Sequence, residues 1–167
     1  MILHKTLKAL VCIGLASISA TSAAETWGSF ALVEPTPISE LWLNAGFYSY
    51  HFQKDKGFNN QNWGLGGEYR YSTVSSIVAG SSYNSVRHTS HYVGWHWHPL
   101  ALGPVHFGVV AGGVNGYPGA NNGGWFPIVL PAASFEYKSV GANLILIPHV
   151  NNVVYGALSL QLKVKLY

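Results

Sequence analysis

From Val153 to Leu166, Val154, Leu158, Leu160, Leu162, Val164 and Leu166 take one parity, and Tyr155, Ser159, Gln161, Lys163 and Lys165 take the other. A period of two is that of a strand with one apolar and one polar face. A slip of one residue would carry both lysines onto the leucine side, so the register is strongly specified. Seven earlier runs have the same length and flavour: Leu41 to Phe52, Trp63 to Tyr71, Val74 to Ser85, Tyr92 to His98, Val105 to Asn115, Phe126 to Tyr137 and Val140 to Ile147. Within the first, Leu41, Leu43, Ala45 and Phe47 alternate with Trp42, Asn44, Gly46 and Tyr48. Ser72-Thr73 joins two runs, Pro99 ends the fourth, and the Gly, Asn and Pro-rich stretch Gly116 to Gly124 reads as a loop. About eight short strands, an even number, predict an all-β chain closed into an eight-stranded antiparallel barrel.

The medium outside that barrel follows from composition. Only 9% of the chain is charged and 14% is aromatic, against about 25% charged in an ordinary soluble domain. A wall in contact with water needs more charge, whereas a wall in contact with hydrocarbon does not. In lipid an open sheet would leave unpaired N–H and C=O groups at its edges, so membrane strands persist only in closed barrels. Lysine turned into the hydrocarbon midplane costs about 2 to 4 kcal/mol. These readings predict a transmembrane β-barrel in a Gram-negative-type outer membrane, a monomer whose partners are membrane lipids. Trp42, Trp63, Trp95, Trp97 and Trp125, with Tyr48, Tyr69, Tyr83, Tyr92 and Tyr117, are candidates for its interfacial aromatic girdles. The competing fold is a soluble sandwich or ligand-carrying barrel of the same strand count.

Residues 1 to 24 are expected to be a cleaved export signal: His4, Lys5 and Lys8 precede the apolar stretch Ala9 to Ala20, and Ser22-Ala23-Ala24 supplies the small residues for cleavage. The apolar stretch is too short for about 30 Å of hydrocarbon. Residues 25 to 167 then form a single barrel domain, with 25 to 39 a lead-in in which Pro35 and Pro37 stop any long helix. Without Lys5 and Lys8, seven Lys and Arg face six Asp and Glu. A balance near +1 offers nucleic acid no basic face. The only cysteine, Cys12, lies in the signal, which excludes a disulfide, a thiolate nucleophile or a Cys-zinc site from the mature chain.

Several constellations carry chemistry on their own terms. His96 and His98 share one strand face, with His106 on the next run, but no Asp, Glu or Cys stands nearby in sequence to complete a ligand set, so packed or rim histidines are expected and no metal. Gly64-Leu65-Gly66-Gly67 lacks the Lys-Ser/Thr of a phosphate loop and reads as a place of close strand approach. Lys54, Asp55 and Lys56 sit in the first polar stretch, Gln53 to Asn62, as a solvated loop tip or a contact for anionic head groups. Pro127, Pro131 and Pro148 each remove a ladder donor, so a neighbouring strand can part there without losing a bond.

From Val78 onward the chain resembles the lipid A palmitoyltransferase (PagP) family of outer-membrane barrels. The resemblance runs through Tyr83-Asn84-Ser85, Gly94-Trp95-His96-Trp97, His98-Pro99-Leu100, Phe126-Pro127-Ile128-Val129-Leu130-Pro131-Ala132-Ala133-Ser134 and Ile147-Pro148, with Phe58-Asn59 and Trp63-Gly64-Leu65-Gly66 upstream. It covers about two thirds of the mature chain and implies acyl transfer from a phospholipid to lipid A, without a cofactor. It also implies that Pro127, Pro131 and Pro148 mark seams for lateral lipid access. Ser85 falls on the family's serine, Asn84 on its aspartate, and His51 is the nearest candidate for its histidine, with His88 and His91 as alternative bases near Ser85. An asparagine can orient an imidazole but supplies no negative charge. Where the family has Gly-Tyr-Gly-Trp, this chain has Gly94-Trp95-His96-Trp97, and an imidazole there shortens any acyl pocket or leaves the lumen packed shut.

Two functions follow as expectations. One is a lipid-modifying acyltransferase in which Ser85 and His51 act, Asn84 orients, and Arg87 or Lys54 meets phosphate. The other is a non-catalytic barrel that binds a lipid or small apolar ligand, or serves the membrane structurally.

Overall fold

A computed structural model describes residues 29–149 and 155–167. The expected signal, the start of the lead-in and the beginning of the last run, Val153 and Val154, lie outside the described residues. Short β1 (Ala31–Leu32) is followed by eight long strands: β2 (Pro37–His51), β3 (Gln61–Ser72), β4 (Ser75–Tyr83), β5 (Thr89–Leu102), β6 (Val105–Val114), β7 (Phe126–Tyr137), β8 (Val140–Ile147) and β9 (Ala157–Lys165). Each pairs antiparallel with its neighbours in sequence, and β2 pairs with β9. That last pairing closes an eight-stranded antiparallel barrel. Only two short 3-10 turns, Lys54–Lys56 and Asn121–Gly123, interrupt the all-β pattern among the described residues.

The barrel has unlike ends. At one, two-residue turns link the strands, since Ser72 pairs with Ser75, Leu102 with Val105 and Tyr137 with Val140. Gly103 (φ 56°) and Lys138 (φ 55°) take the left-handed conformation that such tight hairpins use. All the longer connections gather at the opposite rim. The lead-in belongs to the tight-turn end, where β1 pairs with the last residues of β5 and Val33 N–H donates to the Pro99 carbonyl at 2.8 Å.

Two boundaries differ from the sequence reading for identifiable reasons. Pro99 does not end the fourth run: β5 continues through it to Leu102, because a register shift between Trp97 and Leu100 takes up the missing donor. The uniform alternation expected from Leu41 to Phe52 is also broken. Between Asn44 and Phe47 the register shifts on both sides: β2 carries one residue more than β9 there, and between Ala45 and Phe47 one residue fewer than β3, which forms a bulge at which β2 changes parity. Before it, Trp42 and Asn44 are buried, and after it Ser49 and His51 are. Gly46 makes this possible, because a Cβ there would stand 2.2 Å from the Asn62 carbonyl oxygen. The bulge therefore turns His51 inward; with even alternation it would share the outward parity of Leu43.

The interior is polar and the wall apolar. Sixteen polar or charged side chains are buried among the described residues against six apolar ones, the reverse of a soluble core. In β9, Ser159, Gln161 and Lys163 are buried while Leu158, Leu160, Leu162 and Val164 are exposed, as the parity of the run predicts. Every charged residue of the eight barrel strands (Glu40, Glu68, Arg70, Glu136, Lys163 and Lys165) lies on the inward parity, and these six form one network at the tight-turn end. Lys163 Nζ lies 3.0 Å from Glu68 and 2.7 Å from Glu136, Arg70 pairs with Glu136 and with Glu40 at 3.1 Å, and Lys165 meets Glu40 at 2.7 Å. Three cations and three carboxylates balance. Buried charges are tolerable only when paired in this way.

Trp42 is a correction to the girdle set: it is 1% exposed and lies under Lys163 and Lys165, whose ammonium groups stand 4.8 and 5.3 Å from its ring. Tyr92 and Tyr117 are also only half-exposed, for Tyr92 crosses the lumen and Tyr117 packs on Phe126 in a rim loop. Trp63, Trp95, Trp97, Trp125, Tyr48, Tyr69 and Tyr83 are on the outside.

Candidate active site at the long-loop rim

His51 ends β2 at the long-loop rim, and Ser85 follows β4 at the same rim. His51 Nε2 lies 2.9 Å from Ser85 Oγ, and His51 Nδ1 lies 2.8 Å from Asn60 Oδ1. The Phe58 ring covers the imidazole at a centroid distance of 4.8 Å. A hydroxyl, a ring nitrogen within hydrogen-bond reach and an acceptor on the far nitrogen are the parts of an activated nucleophile. His51 is 7% exposed, so its ring is held by packing as well as by its two bonds. The loops are tied to one another, since Asn59 N–H donates to the Ser85 carbonyl at 2.9 Å and Arg87 Nη1 to the Gly57 carbonyl at 2.9 Å.

Asn84, expected to orient the histidine, is occupied elsewhere. Its Oδ1 accepts from the N–H groups of Val86 and His88, and its Nδ2 donates to Ser90 Oγ and to the Gly116 carbonyl at 2.7 Å. It braces the β4–β5 loop against the β6–β7 loop. An aspartate would have no donor for Gly116, so an amide fits this position better than a carboxylate. Asn60 was missed from the sequence because it stands in a polar stretch with no periodicity to orient it. Only its position nine residues after His51, across a hairpin, gave a signal. In the neighbouring loop, burial pushes the Tyr117 hydroxyl above the usual phenol range, against the opposite effect of Ser90.

A cleft of about 250 Å³ adjoins the pair, lined by Tyr50, His51, Gln53, Lys54, Phe58 and Asn60. Lys54 lines the same cleft, its ammonium 5.3 Å from the Tyr50 ring, while Arg87 is an exposed cation held at the Gly57 carbonyl. His88 and His91 are exposed, and their N–H groups bond to Asn84 and Asn115. The ring that meets Ser85 is that of His51.

Beneath the rim, Tyr92 fills the lumen. Its hydroxyl accepts from Gln161 Nε2 at 3.2 Å, its ring meets Phe47 edge-on at 5.6 Å, and a Cβ on Gly66 or Gly80 would come within 2.4 Å of its oxygen. Gly94 and His96 lie further down β5 on the same inward face, on the other side of Tyr92 from the rim. His96 is buried against His98 at 5.3 Å. The side chain that limits depth from the rim is therefore Tyr92, two residues above the glycine and four above the imidazole that the sequence singled out.

The three prolines fall along one seam. β6 pairs with β7 over its full length, with Val109 opposite Pro131 and Gly113 opposite Pro127, but β7 pairs with β8 only from Ala132 to Tyr137. Toward the rim, Phe126 to Pro131 have no ladder to β8, and Pro148 stands just past the end of that strand. No known protein family and no curated protein matches this chain in sequence.

Proposed function

We propose that this chain is an outer-membrane barrel of the lipid A acyltransferase type, moving an acyl group from a phospholipid to lipid A, as a divergent relative of the palmitoyltransferases it resembles. The observation that carries this reading is the 2.9 Å contact between His51 Nε2 and Ser85 Oγ at the long-loop rim. In the proposed reaction His51 Nε2 takes the Ser85 hydroxyl proton as Oγ attacks the ester carbonyl of the donor. The tetrahedral adduct collapses to an acyl-serine, and the lysophospholipid alcohol leaves with the proton from Nε2. An acceptor hydroxyl then gives its proton to Nε2, attacks the acyl-serine, and frees Ser85 with its proton restored.

The outer-membrane location draws support from the inverted distribution of polarity, with leucine, valine, tryptophan and tyrosine outside and every strand charge inside. The unpaired β7–β8 seam at Pro127, Pro131 and Pro148 supports sideways access for phospholipid. Lys54 and Arg87 supply cations at the rim for phosphate. Because Tyr92 closes the lumen two residues below Ser90, about 7 Å down β5 at the usual rise per residue, the acyl group bound is shorter than palmitoyl.

The closed lumen also favours a second reading, a non-catalytic barrel whose rim binds lipid. Mass spectrometry of lipids after incubating the reconstituted protein with phosphatidylglycerol vesicles and lipid A separates the two. An added acyl mass on the acceptor that disappears in Ser85→Ala and His51→Asn supports the transferase. Unchanged acceptor with the wild-type protein across donor chain lengths supports the binding barrel instead.

A further inference from the structure

We propose that Asn60 is the positioning residue of the rim pair, selecting the imidazole tautomer that can take a proton from Ser85; this rests on the acyl-transfer reading above. Asn60 Oδ1 can only accept a hydrogen bond, so at 2.8 Å from His51 Nδ1 it requires that nitrogen to carry the proton. The other ring nitrogen, Nε2, is then a free lone pair 2.9 Å from Ser85 Oγ. The opposite tautomer would present N–H to the hydroxyl and leave the base unable to act. Phe58 holds the ring plane from one face at 4.8 Å, leaving rotation about the ring axis to be fixed by Asn60 and Ser85.

The arrangement also assigns a place to the missing carboxylate. Asn84 is committed to Val86, His88, Ser90 and Gly116, so the acceptor for His51 comes from the β2–β3 loop rather than from the residue before the serine. A neutral acceptor fixes geometry but does not hold the imidazolium that forms when Ser85 gives up its proton. Replacing it by a carboxylate at the same position adds that missing charge, which is an unusual gain to expect from mutating a site residue.

Nitrogen-15 NMR of histidine-labelled protein in micelles, with His51 assigned from His51→Asn, reads the tautomer directly. The wild type is expected to hold the proton on Nδ1, Asn60→Ala to show a tautomer mixture, and Asn60→Asp to restore Nδ1–H while raising the His51 titration midpoint. In acyl transfer, Asn60→Ala is expected to lower kcat by about tenfold to a hundredfold with KM within about twofold, and Asn60→Asp to recover it with the pH profile moved upward. A wild-type His51 protonated at Nε2, or a tautomer unchanged in Asn60→Ala, overturns the assignment whatever the activity. The expected spectra together with no acyl transfer support Asn60 and overturn only the transferase reading.

Discussion

At the scale of single residues, the chain separates two duties that a reader of the sequence merges. Asn84 adjoins Ser85 and invites a role in its activation, yet its donors and acceptor are all spent on holding loops together. Asn84→Asp is therefore expected to destabilise the barrel by about 1 to 3 kcal/mol, because a carboxylate oxygen would face the Gly116 carbonyl with no proton between them. Chemical denaturation of the refolded protein checks this, and a gain in stability would contradict it. Ser85 and His51 were singled out through the family resemblance, Ser85 within the Tyr83-Asn84-Ser85 motif and His51 as the nearest histidine, and parity alone would not have brought them together. Asn60 was not singled out, since a side chain in an aperiodic loop reveals its partner only when the hairpin is folded. Tyr92 was legible as an aromatic but not as a lumen plug, for its partners Gly66, Gly80 and Gln161 come from three other strands.

At the scale of elements, one bulge decides whether there is a site at all. Alternation along Leu41 to Phe52 predicts the strand but assigns its second half the wrong face, because the register shift at the bulge leaves no mark in composition. Gly46 was the only local sign. Gly46→Val is expected to disrupt β2–β3 pairing, since its Cβ would stand 2.2 Å from the Asn62 carbonyl oxygen, and to turn His51 away from Ser85. Loss of the His51 tautomer signature by NMR, with most of the barrel's amide spectrum retained, would bear this out. β7 offers the complementary lesson. Its bounds, Phe126 to Tyr137, follow from the sequence, but that its rim half lacks a ladder to β8 is a matter of stagger between strands of unequal length. Disulfide closure by paired cysteines at Leu130 and Ile147, across the unpaired stretch, is expected to slow phospholipid access and acyl transfer, with recovery on reduction; undiminished transfer in the closed form would rule the seam out as the route.

At the scale of the whole molecule, the strand count, closure and inside-out polarity were readable because they depend on periodicity summed over the chain. The charge network inside the barrel was not, because six charges from four strands neutralise one another only once those strands are brought together. Removing one member unbalances the buried charges, so Glu68→Ala, which takes away one of the two carboxylates on Lys163 and the acceptor of Ser76 and leaves the network with a net positive charge, is expected to cost about 3 to 5 kcal/mol. The central claim is that hydrocarbon wets the outer wall. Its most direct test is a nitroxide attached to single cysteines at Leu158, Leu160 and Leu162 in vesicle-reconstituted protein, with Cys12 absent, measured for collision with lipid-dissolved oxygen and with a water-soluble nickel chelate. All three positions are expected to collide with oxygen and be shielded from the chelate, and open access of the chelate to them would contradict the account.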